Sequence, residues 1–330
     1  MSVPSASPLL SLPSMERDRA RIDEALRQSV RTSDDYLTEI ASHLILAGGK
    51  RLRPVMAVAA ALTAHDEASD DVVLGGVAVE LVQVGSLYHD DVIDEAEVRR
   101  SVSSVNARWG NIRAILAGDF LLGRASELAA SLGSEVAGLL ANTICRLCDG
   151  QIGELRTTFQ QTRTTEQYLR SLDGKTASLF SASSRIGGIV AGLDRDHIDA
   201  LTRCGQAFGM VFQLVDDILD LTATDEQLGK PAGHDMLEGV YTLPVLHTLA
   251  LETTAARKLN DLLGNSLSAE DLAAALGIVR TGGGIPAAVS LARTYADEAA
   301  LAMAPYRDRP AGVALAEAGH ALIDSVGEPR

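Results

Sequence analysis

Residues 75–91 read GGVAVELVQVGSLYHDD, and the folding of this stretch decides the architecture. Its valines would suit a strand, but it runs past ordinary strand length with no turn signal inside it. Val77, Leu81, Val84, Tyr88 and Val92 recur at i, i+4, i+7, i+11 and i+15, which is one face of a helix. The predicted helix begins near Gly76 and closes on an acidic cluster, Asp90-Asp91-Val92-Ile93-Asp94. Residues 205–220, GQAFGMVFQLVDDILD, repeat the arrangement: an apolar helix that closes on Asp216, Asp217 and Asp220.

Working outward, most of the chain shows helical periodicity. Residues 15–46 mix charged and apolar positions at a three-to-four spacing, Gly48 and Gly49 interrupt, and Pro54 opens a helix over 54–63. Further helices are predicted over 112–132, 134–155, 165–171, 177–190, 198–221, 243–263, 269–281 and 285–303, with short loops at LDGK, GLDRD and RTGGG. Aromatic residues are only 4%, which disfavours a β-sandwich. The reading is all-α, a single domain over 15–330, with 1–14 as a flexible N-terminal tail. That tail has no basic region, so it does not read as a signal peptide. No window offers ~18 uninterrupted apolar residues, so no stable membrane insertion is expected.

Hydrophobic residues at 46% allow a sizeable core, and 29 basic against 44 acidic residues leave a net charge of −15. Such a surface repels nucleic acid and anionic lipid. Cys145 and Cys148 form a CxxC with no second Cys/His pair nearby, so with Cys204 they read as buried thiols in a reducing, cytoplasmic setting.

The chemistry is concentrated in the Asp clusters. Asp90 and Asp94 lie at i and i+4 on a helix, so both carboxylates point the same way. Gln213, Asp216 and Asp220 share a face in the second motif. Like charges that close are destabilising unless a cation lies between them. A solvated acidic face is the bland account, but Val92 and Ile93 interrupt the first cluster and an apolar segment leads into each. Carboxylates with room for waters and substrate phosphates suit Mg²⁺, so two such helices face to face would hold several ions and, through them, a diphosphate. Local cations in an acidic chain support this. Lys50, Arg51 and Arg53 surround a glycine turn in GGKRLRP, Arg99 and Arg100 follow the first Asp cluster, and Lys175 and Lys230 each follow a glycine. None of these completes a Walker A loop.

With GGKRLRP (48–54), LYHDDVIDEAEVRR (87–100), LAGDF (116–120), GKTASLF (174–180), FQLVDDILD (212–220), LGKPAGHD (228–235) and TLPVL (242–246) in this order, the chain resembles the trans-isoprenyl diphosphate synthases, the polyprenyl synthase family. The likeness spans residues 40–303. It implies antiparallel helices around a central cavity, usually in a homodimer, and a prenyltransferase acting on isopentenyl diphosphate and an allylic diphosphate. It further implies that Asp90, Asp94 and Asp216 bind three Mg²⁺ ions with Asp220 helping through water. Lys50, Arg53, Gln83 and Arg100 would hold isopentenyl diphosphate. Arg99, Lys175 and Lys230 would hold the allylic diphosphate, and Lys175, Thr176 and Gln213 would be catalytic. His43 and His89 are read as structural. Gln83 stands where relatives often have His, His234 where Asp or Asn is common, and Val240 where Lys is common.

Product length is read from the helix that carries Asp90. In this family bulky aromatics four or five residues before the first Asp block the cavity; here those positions are Ser86 and Gly85, with Val82 a turn deeper. The expectation is a long-chain product, C30 or longer, unless Phe120, Phe159 or Phe180 forms the floor. The competing readings are a synthase of geranylgeranyl or farnesyl diphosphate, a class I terpene cyclase, which would carry a different second metal motif, and a non-catalytic subunit, which would have lost the Asp motifs.

Overall fold

The structure, a computed structural model, describes residues 7–223 and 232–325. A 3-10 turn, Pro8–Ser11, precedes α1 (Met15–Ser29), α2 (Asp35–Leu46), α3 (Leu52–Leu62) and α4 (Asp70–Ile93). A hairpin of two short strands follows, β1 (Val98–Arg99) and β2 (Val102–Ser103). Then come α5 (Val105–Trp109), α6 (Asn111–Ser131), α7 (Ser134–Leu155), α8 (Thr165–Leu172), a π-helical turn at Asp173–Ala177, α9 (Ser178–Val190) and α10 (Arg195–Thr222). The chain finishes with α11 (His234–Leu237), α12 (Leu243–Leu249), α13 (Thr254–Leu262), α14 (Ala269–Thr281), α15 (Gly284–Ala302) and α16 (Pro310–Asp324).

The all-α reading holds, and local chemistry explains where the helices start. Ser69, Asp194 and Ser268 cap α4, α10 and α14 by accepting backbone N–H groups, and Thr164 with Gln167 forms a capping box on α8. Helix α4 is apolar almost all round because it is buried almost all round, packed against α6, α3, α9 and α1. By length and composition it could cross a bilayer, but 72% of its most apolar window is buried inside the protein. Helix α10 forms the second spine, against α9, α15 and α16.

The structure corrects several expectations. Residues 8–14 are no floppy tail: Leu9 and Leu12 are buried, and the 3-10 turn packs on α16. Helix α4 begins at Asp70, six residues before the predicted start, because Ser69 caps it. LDGK is no loop; it lies in a continuous helical run from α8 through the π turn into α9. The predicted helix over 243–263 is two, α12 and α13. Helix α16 was not predicted, although Pro310 at its first turn and its run of alanines signal it. Cys145 and Cys148 are exposed on α7, while Cys204 is buried as expected.

Small residues set the helix spacing. A Cβ added to Gly187 on α9 would lie 2.3 Å from the carbonyl oxygen of Ala57 on α3, so those backbones touch. Gly187→Ala forces the helices apart, and we expect a loss of about 1–3 kcal/mol, seen as a lower Tm in thermal unfolding. An unchanged Tm would mean that α3 retreats at no cost.

Candidate active site

The last turn of α4 divides its three aspartates. Asp91 turns inward, is fully buried, and accepts Nε and Nη2 of Arg99, both at 2.7 Å. Asp90 and Asp94 face the other way. Burial raises the Asp90 carboxyl above its ordinary range, and burial beside Glu238 pushes Asp94 up to about 6. The Lys175 and Arg99 charges oppose both shifts. Lys175 Nζ pairs with Glu154 at 2.8 Å.

Lys175 reaches this place because α7 and the π turn cross in near contact. A Cβ at Gly150 would stand 2.6 Å from the Lys175 backbone nitrogen, and one at Gly174 would stand 2.6 Å from the Arg146 carbonyl. Gly174 is thus required by packing, which is why its reading as a loop residue fails. The π turn adds a residue to the helix and re-aims Lys175 and Thr176, a common device at functional sites.

Asp94, Glu154 and Lys175 line a cleft of about 380 Å³ together with Thr176, Gln213 and Asp217, while Asp90, Asp216 and Asp220 lie outside its lining. Thr176 donates to Gln213 Oε1 at 2.9 Å, and Gln213 Nε2 donates to Asp217 Oδ1 at 2.9 Å. Asp216 is half-buried beside them on α10. Asp220 is buried and accepts the backbone N–H of Asp235 at 3.2 Å, which ties the second motif to α11. His234 pairs with Glu238 at 2.9 Å, and Val240 lines the cleft. A larger groove of about 1370 Å³, between α8, α10 and α15, touches neither DDxxD motif.

Among the described residues no three His, Cys, Asp or Glu side chains form a ready-made metal cage. Asp94 and Asp217 instead stand on separate helices at the cleft, and burial raises the proton affinity of each. That suits Mg²⁺, which keeps its waters and takes one or two carboxylates plus substrate phosphates.

A second, cationic cluster is centred on Glu80, which is buried in the middle of α4. Arg51 and Arg100 approach its carboxylate at 3.3 and 3.7 Å. Arg51 also pairs with Asp23 at 3.0 Å, so it is a structural clamp. Gly49 makes the cluster possible: its φ is +147°, and a Cβ there would press on both Arg51 and Arg100. Arg100 donates to the carbonyls of Leu44 and Gly48, at 2.7 Å each. The glycine turn therefore offers carbonyls to a guanidinium here.

Arg53 lies 4.6 Å from the Phe180 ring centroid, and its Nε is buried without a partner. Burial pulls its pKa down to about 10. Burial, together with the Arg19 charge, also lowers that of Lys50. Among the described residues the acidic partners of Arg51 and Arg100 are Asp23 and Glu80, so this cluster, with Lys50 and Arg53, carries surplus positive charge. Arg99 and Arg100 are consecutive, one reaching the acidic cluster and the other the cationic cluster, which makes the two sites neighbours.

The remaining predicted residues divide. Gly85 faces Gly118, Leu121 and Leu122 of α6, with the Gly118 carbonyl 3.1 Å from an added Cβ. Val82 is buried in the core, Gln83 is half-buried, and Ser86 is half-buried with its hydroxyl donating to the Gln83 carbonyl. Lys230 lies outside the described residues. His43 and His89 are hydrogen-bonded to the carbonyls of Ser103 and Ile115. Glu80, Glu154, Tyr168 and Glu238 were missed; single carboxylates and a core tyrosine carry no spacing signal.

The profile of the polyprenyl synthetase family matches residues 34–279. The nonaprenyl diphosphate synthase of Mycobacterium tuberculosis is 37% identical over 92% of this chain and 90% of its own. Component 2 of the heptaprenyl diphosphate synthase of Geobacillus stearothermophilus is 38% identical over 86% and 88%. A crystal structure of a polyprenyl synthase from Caulobacter crescentus, complexed with calcium and isoprenyl diphosphate, superposes with a TM-score of 0.90 at 33% identity, covering 98% of each chain.

Glu80→Gln removes the charge that separates the guanidiniums. We expect a stability loss of about 3–5 kcal/mol, read as a lower Tm. Inorganic diphosphate should restore more of that Tm in the variant than it adds to the wild type. Equal shifts would place the anion elsewhere.

Proposed function

The chain belongs to the polyprenyl synthetase family and is a prenyl transferase, and on that premise we propose that it condenses isopentenyl diphosphate head to tail, in trans, with an allylic diphosphate to give a polyprenyl diphosphate of C30 or longer. The observation that carries this is the pairing of sites. One cleft brings Asp94, Lys175, Thr176, Gln213 and Asp217 together, and a cluster with surplus positive charge follows it through the consecutive Arg99 and Arg100.

Three Mg²⁺ ions are proposed, held by Asp90 and Asp94 on one wall and Asp216 on the other, with Asp220 behind; when bound they supply charge neutralisation to the leaving diphosphate. Lys175, Arg99 and Lys230 hold that diphosphate in place. Lys50, Arg53, Gln83 and Arg100 hold isopentenyl diphosphate. The C1–O bond of the allylic partner breaks, and its electron pair leaves with the diphosphate. The double bond of isopentenyl diphosphate attacks C1, and the departing diphosphate takes the proton lost from C2. The Thr176 oxygen and the Gln213 amide present dipoles to the cationic carbon.

The length assignment rests on Ser86, a small residue four positions before Asp90, and on the long-chain products in the names of the relatives. Exposed thiols at Cys145 and Cys148 suit a reducing, cytoplasmic setting. A homodimer is proposed through α6 and α7, where Ile112 and Leu116 are 76% and 61% exposed beside Ile115 and Ile152.

Purified protein incubated with Mg²⁺, isopentenyl diphosphate and farnesyl diphosphate should yield a product ladder reaching C30 or beyond by mass spectrometry, and Asp216→Ala should abolish it with the fold retained. A stop at C15 or C20 would overturn the length assignment, and full activity in Asp216→Ala the metal assignment. Ile112→Glu combined with Leu116→Glu should halve the mass seen by light scattering. A dimer that survives both charges would place the interface on another face.

A further inference from the structure

The hydrogen bonds beneath the cleft run in one direction. The Tyr168 hydroxyl donates to Asp217 Oδ2 at 2.5 Å, and the Gln213 amide nitrogen donates to Oδ1 of the same carboxylate at 2.9 Å. A carboxylate accepts and does not donate, so Asp217 draws the nitrogen of Gln213 toward itself. The amide oxygen then faces Thr176 and takes its one hydroxyl proton, at 2.9 Å. Thr176 Oγ1 is left with lone pairs to turn on the cleft. The start of this chain is held firmly. Tyr168 is buried, and the Arg163 guanidinium lies 5.4 Å from its ring centroid, fixed by a bond from Nη1 to the Tyr241 carbonyl at 3.1 Å.

We propose that Tyr168 is a positioning residue for prenyl transfer: through Asp217 it sets the amide of Gln213, and so aims the lone pairs of Thr176 at the cationic carbon. The proposal rests on the transferase reading above. Without the Tyr168 hydroxyl the Asp217 carboxylate is free to turn from Gln213, and the amide can flip. Its nitrogen would then face Thr176, which would accept instead of donate and turn its proton on the carbocation. The same two side chains would oppose the charge they otherwise stabilise.

Tyr168→Phe keeps the ring and removes only the donor. With farnesyl diphosphate as primer we expect kcat to fall about ten- to a hundredfold, with KM for both substrates within about twofold of wild type. In a Thr176→Val background the same change should cost nothing further, because the group it aims is gone. Wild-type kcat in Tyr168→Phe, or a double variant slowed by the product of the two single effects, would overturn the proposal. Circular dichroism checks the fold. Should Tyr168→Phe not fold, Gln213→Leu breaks the chain at its middle, since an alkyl side chain neither donates to Asp217 nor accepts from Thr176. It should lose kcat at unchanged KM, and wild-type turnover there would also overturn the proposal. A wild-type enzyme that condenses nothing would remove the transferase reading and this proposal together, whereas normal wild-type turnover with an unaffected Tyr168→Phe removes the proposal alone.

Discussion

A charge taken out of water has to be met by its opposite, and α4 carries two carboxylates, Glu80 and Asp91, into the middle of the protein. Much of the site is the consequence. Glu80 gathers Arg51 and Arg100 against the loop at Gly48 and Gly49. Asp91 draws Arg99 back onto the end of its own helix. The short hairpin between β1 and β2, with left-handed turn residues at Arg100 and Ser101, lets adjacent arginines serve different clusters. Its strands are too short to matter as sheet; the hairpin matters as a way to turn two side chains apart.

The same burial prepares the site for its ligands. Asp90 and Asp94 are held partly out of water with Lys175 and Arg99 to offset them, and both cations are shared, Lys175 with Glu154 and Arg99 with Asp91. Their raised proton affinity expresses a need for positive charge. Arg53 and Lys50 express the reverse need. A site with unmet negative charge beside one with unmet positive charge is complementary to metal ions and diphosphates arriving together, and neither half is a stable resting place for its own like charges. Hydrogen-bond direction then completes the work of charge, because Tyr168, Asp217, Gln213 and Thr176 hand orientation from the core to the cleft wall.

The sequence by itself determined the helical class, the two spine helices and the pairing of their DDxxD ends, since helical spacing is a local property and both motifs are contiguous. It also determined the cationic character of residues 50–53 and 99–100. It could not separate the aspartates of the first motif, of which Asp91 is a buried anchor while Asp94 lines the cleft, because that depends on where Arg99 returns. It could not show that α6 fills the open side of Gly85, and it misread Gly174, whose bareness serves a crossing with α7; in each case the neighbour is remote in sequence. Glu80, Glu154 and Tyr168 gained roles only from partners 20 to 49 residues away along the chain. Local pattern determines which helices form and which chemistry they carry. Tertiary packing decides which of those charges and dipoles meet, because burial and distance exist only once the helices have come together.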